Sequence, residues 1–122
     1  MRREFELILK RSLSLFYFGK RKESPFMLEN KFQAKLIKEI KSMLPGCIVM
    51  KNDASYIQGI PDLLILFGNK WASLEVKKSA KASRQPNQEY YVEMMNKMSF
   101  SKFICPENKE EVLNELFKAL QS

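Results

Sequence analysis

The chain has 122 residues, 45% of them hydrophobic, which fits one domain with a single core. Lysine and arginine outnumber the acids by 21 to 14, and the net charge of +7 suits a polyanionic partner such as nucleic acid better than an acidic protein surface. A merely soluble basic protein is the alternative. Because the chain contains no histidine, histidine-based triads and histidine-ligated zinc sites are excluded.

Residues 1–26 are predicted to form an apolar and basic extension ahead of a domain at residues 27–122. One helix could cover residues 5–18, and the linker at residues 20–26 carries Ser24 and Pro25. The extension has seven bases, partly offset by three glutamates. Packing on the domain or on a second subunit is therefore favoured over membrane-surface binding. The extension is our candidate for part of a dimer interface.

The domain begins with an amphipathic pattern over residues 27–43, where apolar residues recur at spacings typical of a helix. Pro45 and Gly46 end this pattern. Residues 47–50 are predicted to be a short strand, followed by a polar loop at residues 52–59.

Residues 63–67 are predicted to be a fully buried strand that turns at Gly68-Asn69 into an antiparallel strand at residues 71–77. A helix at residues 83–98 with Pro86 near its first turn, a strand at 100–105 and a helix at 107–120 complete the chain. The last helix has one apolar side, made of Val112, Leu113, Leu116, Phe117 and Leu120. These elements predict an α/β fold with a mixed sheet.

Two acids and a lysine lie at the ends of adjacent apolar strands. Asp62 is one of only two aspartates in the chain, and it precedes one strand, while Glu75 and Lys77 share a face of the next. Counting through the turn places position 62 opposite about position 75, so the two carboxylates should be neighbours. They would repel unless a hard divalent cation lay between them. The alternatives are a proline-aspartate turn and a solvated strand face.

Cys47 and Cys105 lie far apart, each in an apolar run, which favours buried thiols in a reducing cytoplasm. The longest apolar run is too short to span a bilayer, and the first residues lack the cleavage pattern of a signal peptide. We therefore expect a cytoplasmic protein without a membrane partner.

The motifs Pro61-Asp62 and Glu75-Val76-Lys77, with the order of helices and strands, resemble the PD-(D/E)XK nuclease superfamily. More narrowly, Gly59 before the Pro-Asp pair, and Gln88 followed by Tyr91, resemble the virus-type replication-repair nuclease (VRR-NUC) family. The resemblance covers about residues 28–105 and implies a restriction-endonuclease-like αβββαβ core, with an added N-terminal helical segment and a C-terminal helix.

The resemblance also implies the residues of a catalytic site, which are Glu29, Asp62, Glu75, Lys77 and Gln88. Asp62, Glu75 and the backbone carbonyl of Val76 would bind Mg²⁺ or Mn²⁺, with Glu29 binding directly or through water. Glu29 has a plain alternative, since a glutamate in the first turn of a helix is favoured by the helix dipole. Gln88 could likewise be a solvent-facing helix residue.

The expected reaction is metal-dependent hydrolysis of DNA phosphodiester bonds. Candidate phosphate contacts are Lys31, Lys35, Lys78, Lys81 and Arg84. No base-reading motif is evident, so the structure of the DNA should matter more than its sequence. Phage-encoded members of the family act as homodimers on branched DNA such as Holliday junctions, and a phage-encoded chain would act in the host cytoplasm. A restriction-type or flap-directed nuclease, and a non-catalytic DNA-binding module, are the alternatives.

Overall fold

A mixed sheet of four strands organises residues 24–122, the part of the chain that the computed structural model describes. The helix predicted at residues 5–18, with its suggested role in a dimer, lies outside this part. The α/β fold class is confirmed. In the described part, no helix has both the length and the apolar character needed to cross a membrane.

The elements follow the predicted order of helix, three strands, helix, strand and helix. They are α1 (Pro25–Met43), β1 (Ile48–Lys51), β2 (Leu63–Phe67), β3 (Lys70–Val76), α2 (Pro86–Met98), β4 (Phe100–Ile104) and α3 (Lys109–Gln121), with a short 3₁₀ turn at Pro106–Asn108. The strands lie in the order β1-β2-β3-β4. The first two pairs are antiparallel, whereas β3 and β4 are parallel and joined through α2.

The hairpin of β2 and β3 has the predicted turn and register. Leu63 pairs with Leu74 and Phe67 pairs with Lys70, which leaves Gly68 and Asn69 as the turn. Gly68 has φ of 62°, a value that side chains disfavour, so this position suits glycine.

The two faces of the sheet are covered unequally. On one face, the buried side chains of the central strands pack with α1 and α3, as Leu36, Ile65, Leu74 and Leu116 show. On the other face, α2 packs on β3 and β4. The prediction that residues 63–67 are fully buried is therefore wrong. Leu64 and Leu66 face the part of the sheet that α2 leaves partly open, and Phe67, at the end of the strand, is also only partly buried.

The starts of all three helices and one side chain also differ from the predictions, the last helix beginning at Lys109 rather than residue 107. The first helix begins at Pro25 rather than residue 27, and its N-cap Ser24 accepts a hydrogen bond from the Met27 N–H at 3.1 Å. The second begins at Pro86 rather than residue 83, because a residue before proline avoids the helical region and Gln85 is extended. Phe117 was predicted to lie on the apolar side of α3, but it is 38% exposed.

Side chains occupy part of the outer edge of β4. The Ser101 N–H donates to Asn96 Oδ1 at 2.9 Å, and the Cys105 N–H donates to Asn108 Oδ1 at 2.9 Å. Asn108 Nδ2 also donates to the Phe103 carbonyl at 3.3 Å. These amides therefore take up backbone groups that a further strand would need.

We expect Leu116→Ala to lower the free energy of unfolding by about 2–5 kcal/mol, because it leaves a cavity between α3 and the sheet. Leu116 is fully buried. Lys118→Ala, an exposed change on the same helix, should change stability by no more than about 0.5 kcal/mol. Chemical denaturation of both variants measures the difference. Equal stabilities would contradict the described core.

Candidate active site

Asp62 and Glu75 lie next to each other where β2 begins and β3 ends. The pairing of Leu63 with Leu74, continued by one residue, brings position 62 opposite position 75, as predicted. The Val76 N–H donates to Asp62 Oδ2 at 2.9 Å. Asp62 is thus fixed to the third strand, beside the carboxyl group of Glu75.

Asn52 fixes the backbone of the Pro61-Asp62 pair from the side of β1. Its side-chain Nδ2 donates to the Pro61 carbonyl at 2.8 Å, and its backbone N–H donates to the Asp62 carbonyl at 2.9 Å. The sequence interpretation missed this residue and assigned it to a polar loop. Its position directly after β1, opposite the Pro-Asp pair in the antiparallel register, is the signal that could have found it.

Glu75 is a buried acid whose hydrogen bonding is incomplete. Only 3% of the surface of this residue is exposed. Oε2 accepts a hydrogen bond from Gln88 Nε2 at 2.9 Å, whereas Oε1 is buried without a partner. Burial, followed by the Asp62 carboxylate, raises the pKa of Glu75 to about 8, and Lys77 opposes this rise. The pocket therefore disfavours the negative charge that Glu75 would carry as a ligand.

Gln88 links Glu75 to Lys77. Its Oε1 accepts from Lys77 Nζ at 2.8 Å and from the Gln85 N–H at 3.0 Å, while its Nε2 faces the Glu75 carboxyl. Because two donors surround one end of the amide and an acceptor faces the other, this network fixes the orientation of the amide. The solvent-facing alternative for Gln88 is therefore wrong, and the side chain positions both an acid and the lysine.

Glu29 reaches the same region from α1. Burial raises the pKa of Glu29, the Asp62 carboxylate adds to this rise, and Lys77 and Lys78 lower it. Glu29 therefore lies close enough to Asp62, Lys77 and Lys78 for their charges to change its pKa. It lies in the second turn of α1, whose first turn contains no acid, so the helix-dipole alternative does not apply.

Gly59 permits a close contact between the loop before Asp62 and the start of α2. Its φ is 91°, and a Cβ at this position would lie 2.4 Å from Asn87 Cβ and 2.8 Å from the Asn87 carbonyl carbon. Only glycine avoids both the backbone strain and the clash. The loop can thereby pack directly against α2, which carries Gln88.

The candidate phosphate-binding residues differ in their surroundings. Lys31, Lys35, Lys78 and Lys81 are exposed on α1 and on the segment after β3. Arg84 lies over the Phe103 ring, with its guanidinium carbon 3.9 Å from the ring centroid. It lines a groove with several glutamates, namely Glu89, Glu93, Glu111 and Glu115. Because these carboxylates would repel phosphate groups, Arg84 is less suited to bind the DNA backbone than the lysines are.

The residues present fit a hard cation only in part. Within residues 24–122, no three histidine, cysteine, aspartate or glutamate side chains are grouped so that they could hold a metal ion. However, Mg²⁺ is usually bound by one or two carboxylates, with water and substrate phosphates completing its shell. Asp62 and Glu75 are such a pair, and the unpartnered Oε1 of Glu75 is an unused acceptor. The site therefore fits an ion that is completed by substrate better than a closed metal cage.

Comparison with known proteins identified no family for this chain. None of the protein-family models matches the chain, and no curated protein matches it.

We expect Glu75→Gln to stabilise the metal-free protein increasingly as the pH rises. The folded pKa near 8 lies above the ordinary value of 4.5, so the unfolded chain loses this proton first and the wild type loses stability between these values. The variant should melt at least about 4 °C higher than the wild type near pH 9, with a smaller difference near pH 5. Thermal unfolding in a chelator measures this. A difference that does not change with pH would contradict the raised pKa.

We expect Gly59→Ala to destabilise the domain more than Gly46→Ala does. Both glycines have φ of 91°, but a Cβ at Gly46 would meet nothing within 4 Å. Gly46→Ala should cost about 1–2 kcal/mol through backbone strain alone, and Gly59→Ala at least about 1 kcal/mol more through the clash with Asn87. Urea unfolding of both variants checks the order. Equal losses would contradict the close contact.

Proposed function

We propose that this protein is a Mg²⁺- or Mn²⁺-dependent endonuclease that hydrolyses phosphodiester bonds of DNA. One observation carries the proposal. Glu75 is buried next to Asp62 with one oxygen unpartnered, while the ammonium of Lys77 is bound to the same amide as Glu75. A buried acid next to a half-buried one, beside an oriented lysine, is costly to maintain for structure alone, and perturbed carboxyl groups of this kind concentrate at functional sites.

The order of helices and strands and the motif positions support the same proposal. The Pro-Asp pair directly precedes β2, Glu75 and Val76 end β3 with Lys77 directly after it, and Gln88 lies in the first turn of the helix that follows. This arrangement is the one expected for the PD-(D/E)XK superfamily and, with Gly59 and Gln88, for VRR-NUC nucleases. Membership of either family is part of the proposal.

A divalent ion held by Asp62, Glu75 and the Val76 carbonyl, with Glu29 nearby, would neutralise charge on the scissile phosphate and acidify the attacking water. Lys77 would orient that water and stabilise negative charge as it develops on the phosphate. Gln88 holds the Lys77 ammonium and the Glu75 carboxyl in place through 2.8 Å and 2.9 Å hydrogen bonds. Asp62 is held by Val76 in the same way.

The preferred DNA in this proposal is branched, such as a Holliday junction, and the active form is a homodimer in the cytoplasm. Two symmetric cuts need two sites, which a two-fold dimer supplies. The exposed lysines on α1 and after β3 would contact phosphates without reading sequence. Restriction-type and flap-directed cleavage would use the same residues, and the choice of substrates in the assay separates them.

The test is cleavage of linear duplex, flap and four-way junction DNA in Mg²⁺. We expect the wild type to cut the branched substrates, and Asp62→Asn and Glu75→Gln each to lower the rate by about 100-fold or more, because each removes a ligand charge. Glu93→Gln is the matched control, since Glu93 is an exposed acid on α2. It should cut like the wild type.

The outcomes separate the parts of the proposal. Intact DNA in every reaction with the folded wild type would overturn the nuclease activity. Cleavage that survives both substitutions would overturn only the assignment of the site.

A further inference from the structure

A cleft beside the candidate active site has no assigned role. It lies between the loop that precedes Asp62 and the start of α2, with Gln58, Gly59, Gln85, Asn87 and Gln88 among its lining residues and a volume of about 400 Å³. Gln88 also bonds Glu75 and Lys77, so this one side chain borders both the cleft and the site. A group bound in the cleft would therefore be a near neighbour of the reacting phosphate.

The lining of the cleft suits a polar, uncharged ligand. Four carboxamide side chains contribute to it, and none of the described residues that line it carries a charge. The side-chain amides of Gln58 and Asn87 make no hydrogen bond to any other residue within residues 24–122. Phosphates are generally met by lysine, arginine and N–H groups, whereas amides that both donate and accept complement the edges of nucleobases.

Tyr56 lies on the same loop, between the lining residues Ala54 and Gln58 in sequence, although it is not itself part of the lining. It is 85% exposed, although its backbone N–H donates to the Asp53 carbonyl at 3.1 Å. The Asp53 carboxylate in turn accepts hydrogen bonds from the Ser55 N–H and hydroxyl, at 2.9 and 2.6 Å. An ordered backbone thus presents a large aromatic ring to solvent. Exposed aromatic rings are what proteins use to stack unpaired bases.

The walls of the cleft are in direct contact with each other. Gly59 approaches Asn87 so closely that a single added carbon would lie 2.4 Å from Asn87 Cβ. The loop that carries Tyr56 and Gln58 therefore packs directly against the start of the helix that carries Asn87 and Gln88. A cleft that is already formed limits the entropy that is lost when a ligand binds.

We propose that this cleft binds one unpaired nucleobase next to the scissile phosphate. Tyr56 stacks on the base, while Gln58 and Asn87 hydrogen-bond to its edge. The position of the base relative to the cut depends on the proposed nuclease function, but its binding does not. The substrate is then DNA in which a nucleotide at the cut is unpaired, as at a flap, or becomes unpaired on binding, as at the crossover of a junction, because a paired base is hidden in the duplex.

The test measures binding rather than cleavage, in a chelator, so that it does not depend on the nuclease activity. Fluorescence anisotropy compares a thymidine strand of about a dozen nucleotides with an abasic strand of the same length and charge. We expect the wild type to bind the thymidine strand at least about 5-fold more tightly, and Tyr56→Ala to lose this preference. Gln58→Ala combined with Asn87→Ala should reduce it. Tyr90→Ala is the matched control, because Tyr90 is also exposed but lies further along α2.

Equal binding of both strands by the wild type would overturn the proposal, as would a preference that Tyr56→Ala retains. Loss of the preference in Tyr90→Ala to the same degree would also overturn it, because the effect would then not belong to the cleft. Circular dichroism of each variant establishes that the fold is intact. If base-dependent binding is found while no DNA is cleaved, the proposed nuclease activity is wrong but the proposed binding of a base in the cleft still holds.

Discussion

The hydrogen bond from the Val76 N–H to the Asp62 carboxylate is the contact on which the rest of the candidate site depends. It extends the pairing of β2 and β3 by one step beyond the strand, using a side chain in place of a carbonyl. A slip of one residue in that register would turn the strand over and remove Asp62 from Glu75. The register is secured on the opposite face, where Leu63, Leu74 and Val76 are fully buried. The apolar core thus determines the distance between the two acids.

The buried acid has an energetic consequence for the domain. Glu75 occupies a position where its charged form is poorly solvated and one oxygen lacks a partner. Gln88 satisfies the other oxygen but carries no charge, so it orients Glu75 without neutralising it. Lys77 is bonded to the amide rather than directly to the acid. Charge compensation is therefore incomplete, and a bound cation or a proton would complete it.

Local signals in the sequence were sufficient for most of the fold. The apolar run at β2, the Gly68-Asn69 turn and the alternation in β3 predict the hairpin and its register, and hence that Asp62 and Glu75 are neighbours. Features that depend on how elements pack were missed. The partial exposure of Leu64 follows from the width of the sheet that α2 covers. The start of α2 lies three residues later than predicted, because Pro86 restricts Gln85 to an extended conformation.

The same limit applies to the candidate site. The acids and the lysine could be placed from spacing alone, but the bonds of Asn52 to Pro61 and Asp62 join segments from different strands. Gly59 and Asn87 likewise lie 28 positions apart in the sequence, so no local sequence pattern predicts their close contact. Gln88 was identified through family resemblance, whereas its hydrogen bonds to Glu75 and Lys77 became visible only in three dimensions.

The amides of Asn96 and Asn108 at the outer side of β4 bear on how this domain can associate. Since they bind the Ser101 and Cys105 N–H groups and the Phe103 carbonyl, a strand from another molecule would have to displace them to pair there. The opposite side of the sheet ends at β1, whose outer side has no neighbouring strand in the described domain. Growth of the sheet between molecules, in an ordered complex or in an aggregate, is thus directed to β1, where the charge of Lys51 opposes it.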